Sequence, residues 1–153
     1  MAEKVIDYKD IKSLLGQELG ASDWHLVTQE EINTFAHATH DHQWIHVDVE
    51  RAKKESPFGG PVAHGYYTLS LAPYLIQQIW SVEGVRMGLN YGLNRLRFPA
   101  PLPVGKRVRL RGTLNSVEDV PGGQQVTVGV SFEVEGGEKP VCVAEAIYRY
   151  YAS

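Results

Sequence analysis

The sequence predicts an α+β fold, and three observations lead there. From Val85 onward, apolar and polar residues alternate with a period of two. Pro61 to Ser81 contains no Asp, Glu, Lys or Arg, which suits a long buried helix over roughly 62–80. Short helical patterns come before it, so helices and strands fall in separate parts of the chain, as when an antiparallel sheet curves around a helix.

In chain order, residues 8–15 read as a short amphipathic helix with Ile11, Leu14 and Leu15 on one side and Gly16 as its stop. Trp24 to Val27 reads as a short strand. Thr28 opens a capping box in which Glu31 reaches back to the Thr28 N–H. The helix that follows turns Ile32, Phe35 and Ala36 inward and ends near His40. Asp48 caps another short helix through Lys54. Ser56 to Pro61 is a loop by composition. Inside the long helix, Pro73 removes the donor that would reach the Leu69 carbonyl, so a bend is expected. In the sheet, Val108, Leu110, Gly112 and Leu114 form one face, and Val126, Val128, Val130, Phe132 and Val134 another. Pro121-Gly122-Gly123 and Glu135 to Glu138 are hairpin connections, and Val141 to Tyr150 is the last strand.

One domain is expected for 153 residues. The charge is −3, with no basic run, so a nucleic-acid partner is not expected. The uncharged segment carries histidine, glutamines and tyrosines, which fits a buried helix of a soluble protein better than a membrane span. The single cysteine, Cys142, precludes an intrachain disulfide and fits a reducing compartment. The N-terminus lacks an apolar signal region, and a cytoplasmic location is expected.

Function points to Phe35 to Ala52. It holds four of the six histidines, His37, His40, His42 and His46, together with Asp41 and Asp48. Asp41 and His46 are the pair of interest, a carboxylate and an imidazole suited to proton transfer away from bulk water. On a continuous helix, residues five apart diverge by about 140°, so the two need a loop or a broken helix between them to share a water. Gln43 can donate and accept, and so could orient the water or the carboxylate. Gly65, near the start of the long helix, has an N–H without an intrahelical partner. His64 reads as structural. His37 and His40 face one another on a helix, but no HExxH or CxxC pattern appears, so neither metal nor cofactor is expected.

These residues resemble the MaoC-like dehydratases, the (R)-specific enoyl-CoA hydratase (hydratase-2) group, and in particular its nodulation-protein-N-like branch. Phe35, Thr39, Asp41, Ile45, His46 and Ala52 fit the family pattern. His40, Gln43 and Trp44 stand where glycine, asparagine and proline are usual. Ala63-His64-Gly65 matches the family's helix-opening His-Gly. Arg97 to Pro101 with Val104-Gly105 looks like its strand and turn after the helix.

The resemblance implies a single hot-dog domain over 1–153, a long central helix wrapped by a curved antiparallel sheet, usually paired as a homodimer. Long strand edges also invite a second chain. It implies Asp41 and His46 as the acid–base pair, Gly65 as the amide holding the enolate oxygen, and an acyl-CoA thioester as substrate. The expected reaction is reversible hydration of trans-2-enoyl-CoA to (R)-3-hydroxyacyl-CoA. A thioesterase and a non-catalytic acyl-thioester binder on the same scaffold are the alternatives. Arg95, Arg97, Arg107, Arg109 and Arg111 are either solvated or meet coenzyme A phosphates, and Tyr66, Tyr67 and Leu69 are either core or acyl-pocket residues.

Overall fold

A computed structural model describes residues 4–153. Strand β1 (Lys4–Asp7) leads into a 3-10 helix, Tyr8–Leu14. Ile11 is fully buried there but Leu15 is 51% exposed. The expected helix over 8–15 is therefore tighter than an α-helix, and at three residues per turn Leu15 no longer shares the side of Ile11. Strand β2 is Glu18–Ala21, and β3 shrinks the expected strand to His25–Leu26.

Three helices follow: α1 (Gln29–Thr39), α2 (Trp44–Val47) and α3 (Val49–Glu55). Thr28 caps α1, its Oγ1 accepting from the Glu31 N–H at 3.1 Å. The capping box is only half formed. Glu31 turns away from the Thr28 amide and accepts from the Tyr67 hydroxyl at 2.7 Å, with His25 Nε2 at 2.9 Å. Ile32 and Ala36 are buried as expected. Asp48 Oδ1 accepts from the Arg51 N–H at 3.1 Å and starts α3.

The long helix is two helices, α4 (Gly65–Ser70) and α5 (Ala72–Ile79). Its start lies three residues later than expected. Val62 bridges to Pro103, and the Ala63 N–H donates to the Leu102 carbonyl, so that part of the chain is tied laterally to a neighbouring strand-like segment. The bend falls next to Pro73, which occupies the first turn of α5, where a missing N–H leaves no intrahelical bond unmade.

The sheet comprises β2, β3, β5 (Val85–Arg97), β6 (Arg107–Val120), β7 (Gly123–Val134) and β8 (Cys142–Ala152), in the order β2-β6-β7-β8-β5 with β3 also on β6. All its pairings are antiparallel. A separate strand, β4 (Trp80–Glu83), pairs in parallel with β1. Neither β1, β2 nor β4 is legible from alternation. The β6 and β7 alternation is: Val108, Leu110, Leu114, Val126, Val128 and Phe132 are buried on one face, against Leu75, Ile76 and Ile79 of α5. Burying each such side chain is worth about 1.5–3 kcal/mol. Val120 pairs with Gly123 across Pro121-Gly122, and Gly122 has φ +76, the conformation a proline-glycine turn requires at its second position. Strand β5 departs from the period-two expectation. It is an edge strand, almost entirely exposed, with three register shifts against β8.

Candidate active site

Helix α1 stops because His40 takes a left-handed conformation, φ +65, that a continuing helix cannot use. Asp41 to Gln43 are non-helical, and α2 begins at Trp44. This is the break that the five-residue spacing of Asp41 and His46 requires, made without glycine or proline. The Gln43 main-chain N–H donates to Asp41 Oδ1 at 3.3 Å, which bends the carboxylate back over the turn. The Gln43 side chain is exposed and does not cap α2. Asp41 is exposed too, so shelter from water within this chain exists at His46 and not at its partner.

His46 is 7% exposed. Its Nδ1 lies 2.6 Å from the Val62 carbonyl. A carbonyl can only accept, so Nδ1 carries a proton, and in the neutral ring the lone pair lies on Nε2. The Gln29 amide donates to the His46 carbonyl at 2.7 Å and ties α2 to α1.

His64, read from the sequence as structural, belongs to the same cluster. It is 3% exposed, and its ring stacks on His46 with centroids 3.9 Å apart and planes at 23°. Its Nε2 donates to the Asp41 carbonyl at 3.0 Å. Burial holds its pKa below the ordinary histidine value, against the opposing pull of that hydrogen bond. One donor atom each of Asp41, His46 and His64 lie within 4.8 Å of one another. Among the described residues this trio, rather than His37 and His40, has the spacing that could share a cation. His37 instead meets His42 at 3.2 Å on the surface.

His46 opens onto a cavity of about 400 Å³, also lined by Gly65, Thr68, Phe58, Phe98 and Leu102. Gly65 is the first residue of α4, so its N–H has no partner within the helix. The Phe98 ring lies against it. A Cβ on residue 65 would come within 2.9 Å of Phe98 Cζ, so no larger residue fits unless that ring moves.

Tyr66, Tyr67 and Leu69 diverge. Tyr66 is exposed beside Phe98, Tyr67 is buried with its hydroxyl on Glu31, and Leu69 lines a different groove, against Tyr91 to Leu93 and Ala146 to Tyr148. Tyr66 and Tyr67, adjacent on the helix, point about 100° apart. The arginines of β6 are paired: Arg107 with Glu135 at 2.6 Å, Arg109 with Glu133 at 3.3 Å, and Arg111 with Glu18 at 2.7 Å and Glu133 at 3.0 Å. They form a salt-bridged face.

Residues 10–136 match the MaoC like domain. This chain belongs to the MaoC-like dehydratase family. It is 55% identical over 144 residues to 3-hydroxyacyl-thioester dehydratase Z of Mycobacterium tuberculosis (strain ATCC 25618 / H37Rv), covering 94% of this chain and 95% of that protein. To Nodulation protein N of Rhizobium leguminosarum bv. viciae it is 46% identical over 140 residues, covering 90% and 87%. Its fold is similar to that of the Monoamine oxidase regulatory protein from Archaeoglobus fulgius, with a TM-score of 0.79 at 26% identity over 100% of this chain and 99% of that one. It is also similar to the (R)-hydratase from A. caviae involved in PHA biosynthesis, with a TM-score of 0.72 at 22% identity over 88% and 94%. The MaoC-like fold is the hot-dog fold, and the protein is an enzyme of the hydratase/dehydratase class. Among the described residues, no helix is long and apolar enough to cross a membrane.

Proposed function

We propose that this MaoC-like chain, acting as one domain over 1–153, reversibly adds water to a trans-2-enoyl-CoA to give an (R)-3-hydroxyacyl-CoA. The observation that carries the reading is the meeting of Asp41 and His46 across the break after α1, with His46 Nδ1–H fixed on Val62 and Nε2 left with its lone pair. The relative named 3-hydroxyacyl-thioester dehydratase Z supports the thioester substrate. In this reading the Asp41/His46 pair removes one proton from a water as its oxygen bonds to C3, and returns that proton to C2. The negative charge that develops on the thioester oxygen is met by the Gly65 N–H, which needs Phe98 to leave room for it. Gln43 orients Asp41 through its main-chain N–H.

No cofactor and no metal take part in this scheme. The substrate enters the cavity beside His46, and a nucleic acid or a membrane plays no part. The lone cysteine, Cys142, buried and with its thiol pushed up to about 11 by burial, suits a cytoplasmic setting.

The working unit in this proposal is a homodimer joined along β5. That edge exposes Met87, Leu89, Tyr91 and Leu93, and a long apolar edge strand invites another chain. Light scattering at micromolar concentration should give twice the chain mass, and a monomer would refute the pairing.

The reaction is tested with crotonyl-CoA, following enoyl absorbance and free thiol in parallel. Loss of absorbance without thiol release is expected. Thiol release would replace this reading with a thioesterase, and saturable binding without either change would make the chain a binder.

A further inference from the structure

We propose that His64 is a positioning residue of this site, holding Asp41 and His46 in their working arrangement. This inference rests on the hydration reading above. One side chain touches both helices that flank the break and the gap between them. Its ring lies against Phe35 of α1, with centroids 4.9 Å apart, and is stacked on His46 of α2 at 3.9 Å. Its Nε2–H reaches the Asp41 carbonyl inside the gap at 3.0 Å. When α1 stops at His40, the carbonyls of its last turn lose their intrahelical donors. The gap that follows is held by side chains instead, and His64 supplies a donor from a segment eighteen residues beyond His46.

The other ring nitrogen sharpens the point. His64 Nδ1 is buried without a hydrogen-bond partner. A residue kept here for packing alone would be phenylalanine or leucine, which fill the space without an orphaned acceptor. The imidazole is held for its Nε2–H and its flat face. Because Nε2 bonds a carbonyl, the ring is the Nε2–H tautomer, and burial favours its neutral form. His46 can thus take a proton without a second cation stacked on it.

Two variants separate this role from simple filling. His64→Phe keeps the ring but loses the donor. His64→Gln places an amide donor near the position of Nε2 without a titrating group. In His64→Phe, kcat for crotonyl-CoA hydration should fall about 10- to 100-fold, as expected for misplacing reacting groups by about 1 Å, with KM within about threefold. His64→Gln should recover at least about tenfold of that loss. The thermal midpoint of His64→Phe should change little, because the orphaned Nδ1 and the Nε2–H bond to the Asp41 carbonyl are lost together.

A readout independent of turnover is the NMR exchange rate of the Gln43 amide, which is bonded to Asp41 Oδ1. It should quicken about tenfold in His64→Phe and less in His64→Gln. If folded His64→Phe exchanges there like wild type, or His64→Gln behaves no better than His64→Phe, the positioning role is wrong. If wild type fails to hydrate crotonyl-CoA while the exchange pattern holds, the reaction assignment is at fault and the positioning role stands.

Discussion

The break between α1 and α2 and the break between α4 and α5 are made by different physics. At Pro73 the chain loses one donor and bends, but Leu71 stays in the right-handed helical region and α5 begins at the next residue. At His40 the backbone turns left-handed and three residues leave the helix altogether. The first break leaves no intrahelical hydrogen bond unmade, because Pro73 lies in the first turn of α5. The second opens a gap whose groups are met by other parts of the chain: the Gln43 N–H takes Asp41 Oδ1, and the Asp41 carbonyl takes the His64 ring. A proline signals a bend, whereas a left-handed residue before a carboxylate signals a place where the helix yields its polar groups to a site.

If the gap is the chemical site, the largest effects belong there. Asp41→Asn and His46→Gln should each lower kcat by about two to four orders of magnitude, the range for general acid–base groups. The double variant should be little worse than either single one, because partners in one step are not additive. Steady-state hydration of crotonyl-CoA reads this out. His37→Gln and His40→Gln, whose side chains stay outside the proposed chemistry, should keep kcat within about tenfold. Loss of turnover in these controls with an active Asp41→Asn would move the site to the surface histidines.

The second effect tests the breaks themselves. His40→Val puts a branched side chain at φ +65 and should destabilise the fold by about 1–2 kcal/mol, with a fall in kcat as Asp41 shifts. Pro73→Ala has no intrahelical bond to restore in the first turn of α5, and should leave kcat within about twofold while stability holds or falls by roughly 0.5–1 kcal/mol. Chemical denaturation alongside kinetics would show whether the two breaks differ in this way. Equal losses of activity in both would erase the distinction.

A smaller effect concerns the tie between the two interrupted runs, the Tyr67 hydroxyl on Glu31. Burial pushes the Glu31 pKa up, but the hydrogen bonds from Tyr67 and His25 outweigh it and hold the carboxyl below its ordinary value of 4.5. A depressed folded-state value stabilises above the unfolded pKa and is lost as pH falls through the folded one. Tyr67→Phe should therefore cost about 0.5 kcal/mol at pH 7, the low end for a hydrogen bond because Glu31 is partly open to solvent. The gap to wild type should close as pH drops below about 4. Thermal melts across that range would show it, and a gap that widens in acid would contradict the assignment.

The smallest expected effect is none. Asp41, His46 and His64 are close enough to invite a cation, but the proposed proton transfer uses none. Prolonged chelation should leave hydration unchanged. Stoichiometric zinc whose removal abolishes activity, restored on adding zinc back, would reassign the trio as a metal site.

What the amino-acid order determined by itself is local. The Thr28 and Asp48 caps, the buried faces of β6 and β7, the Pro121-Gly122 turn and the need for a break between Asp41 and His46 all depend on neighbours a few residues apart, where spacing fixes geometry. The family motif supplied the pair and the hot-dog fold. What only the tertiary structure decided depends on partners far along the chain. Glu31 left its capping box for Tyr67, thirty-six residues away. The β6 arginines went to glutamates of β2, β7 and the turn after β7. Strand β1 found β4, seventy-six residues on. His64 reads as structural in the sequence, but only the fold shows that it stacks on His46, because the identity of a contact between distant residues is set by the three-dimensional path that brings them together and leaves no periodic trace in the sequence.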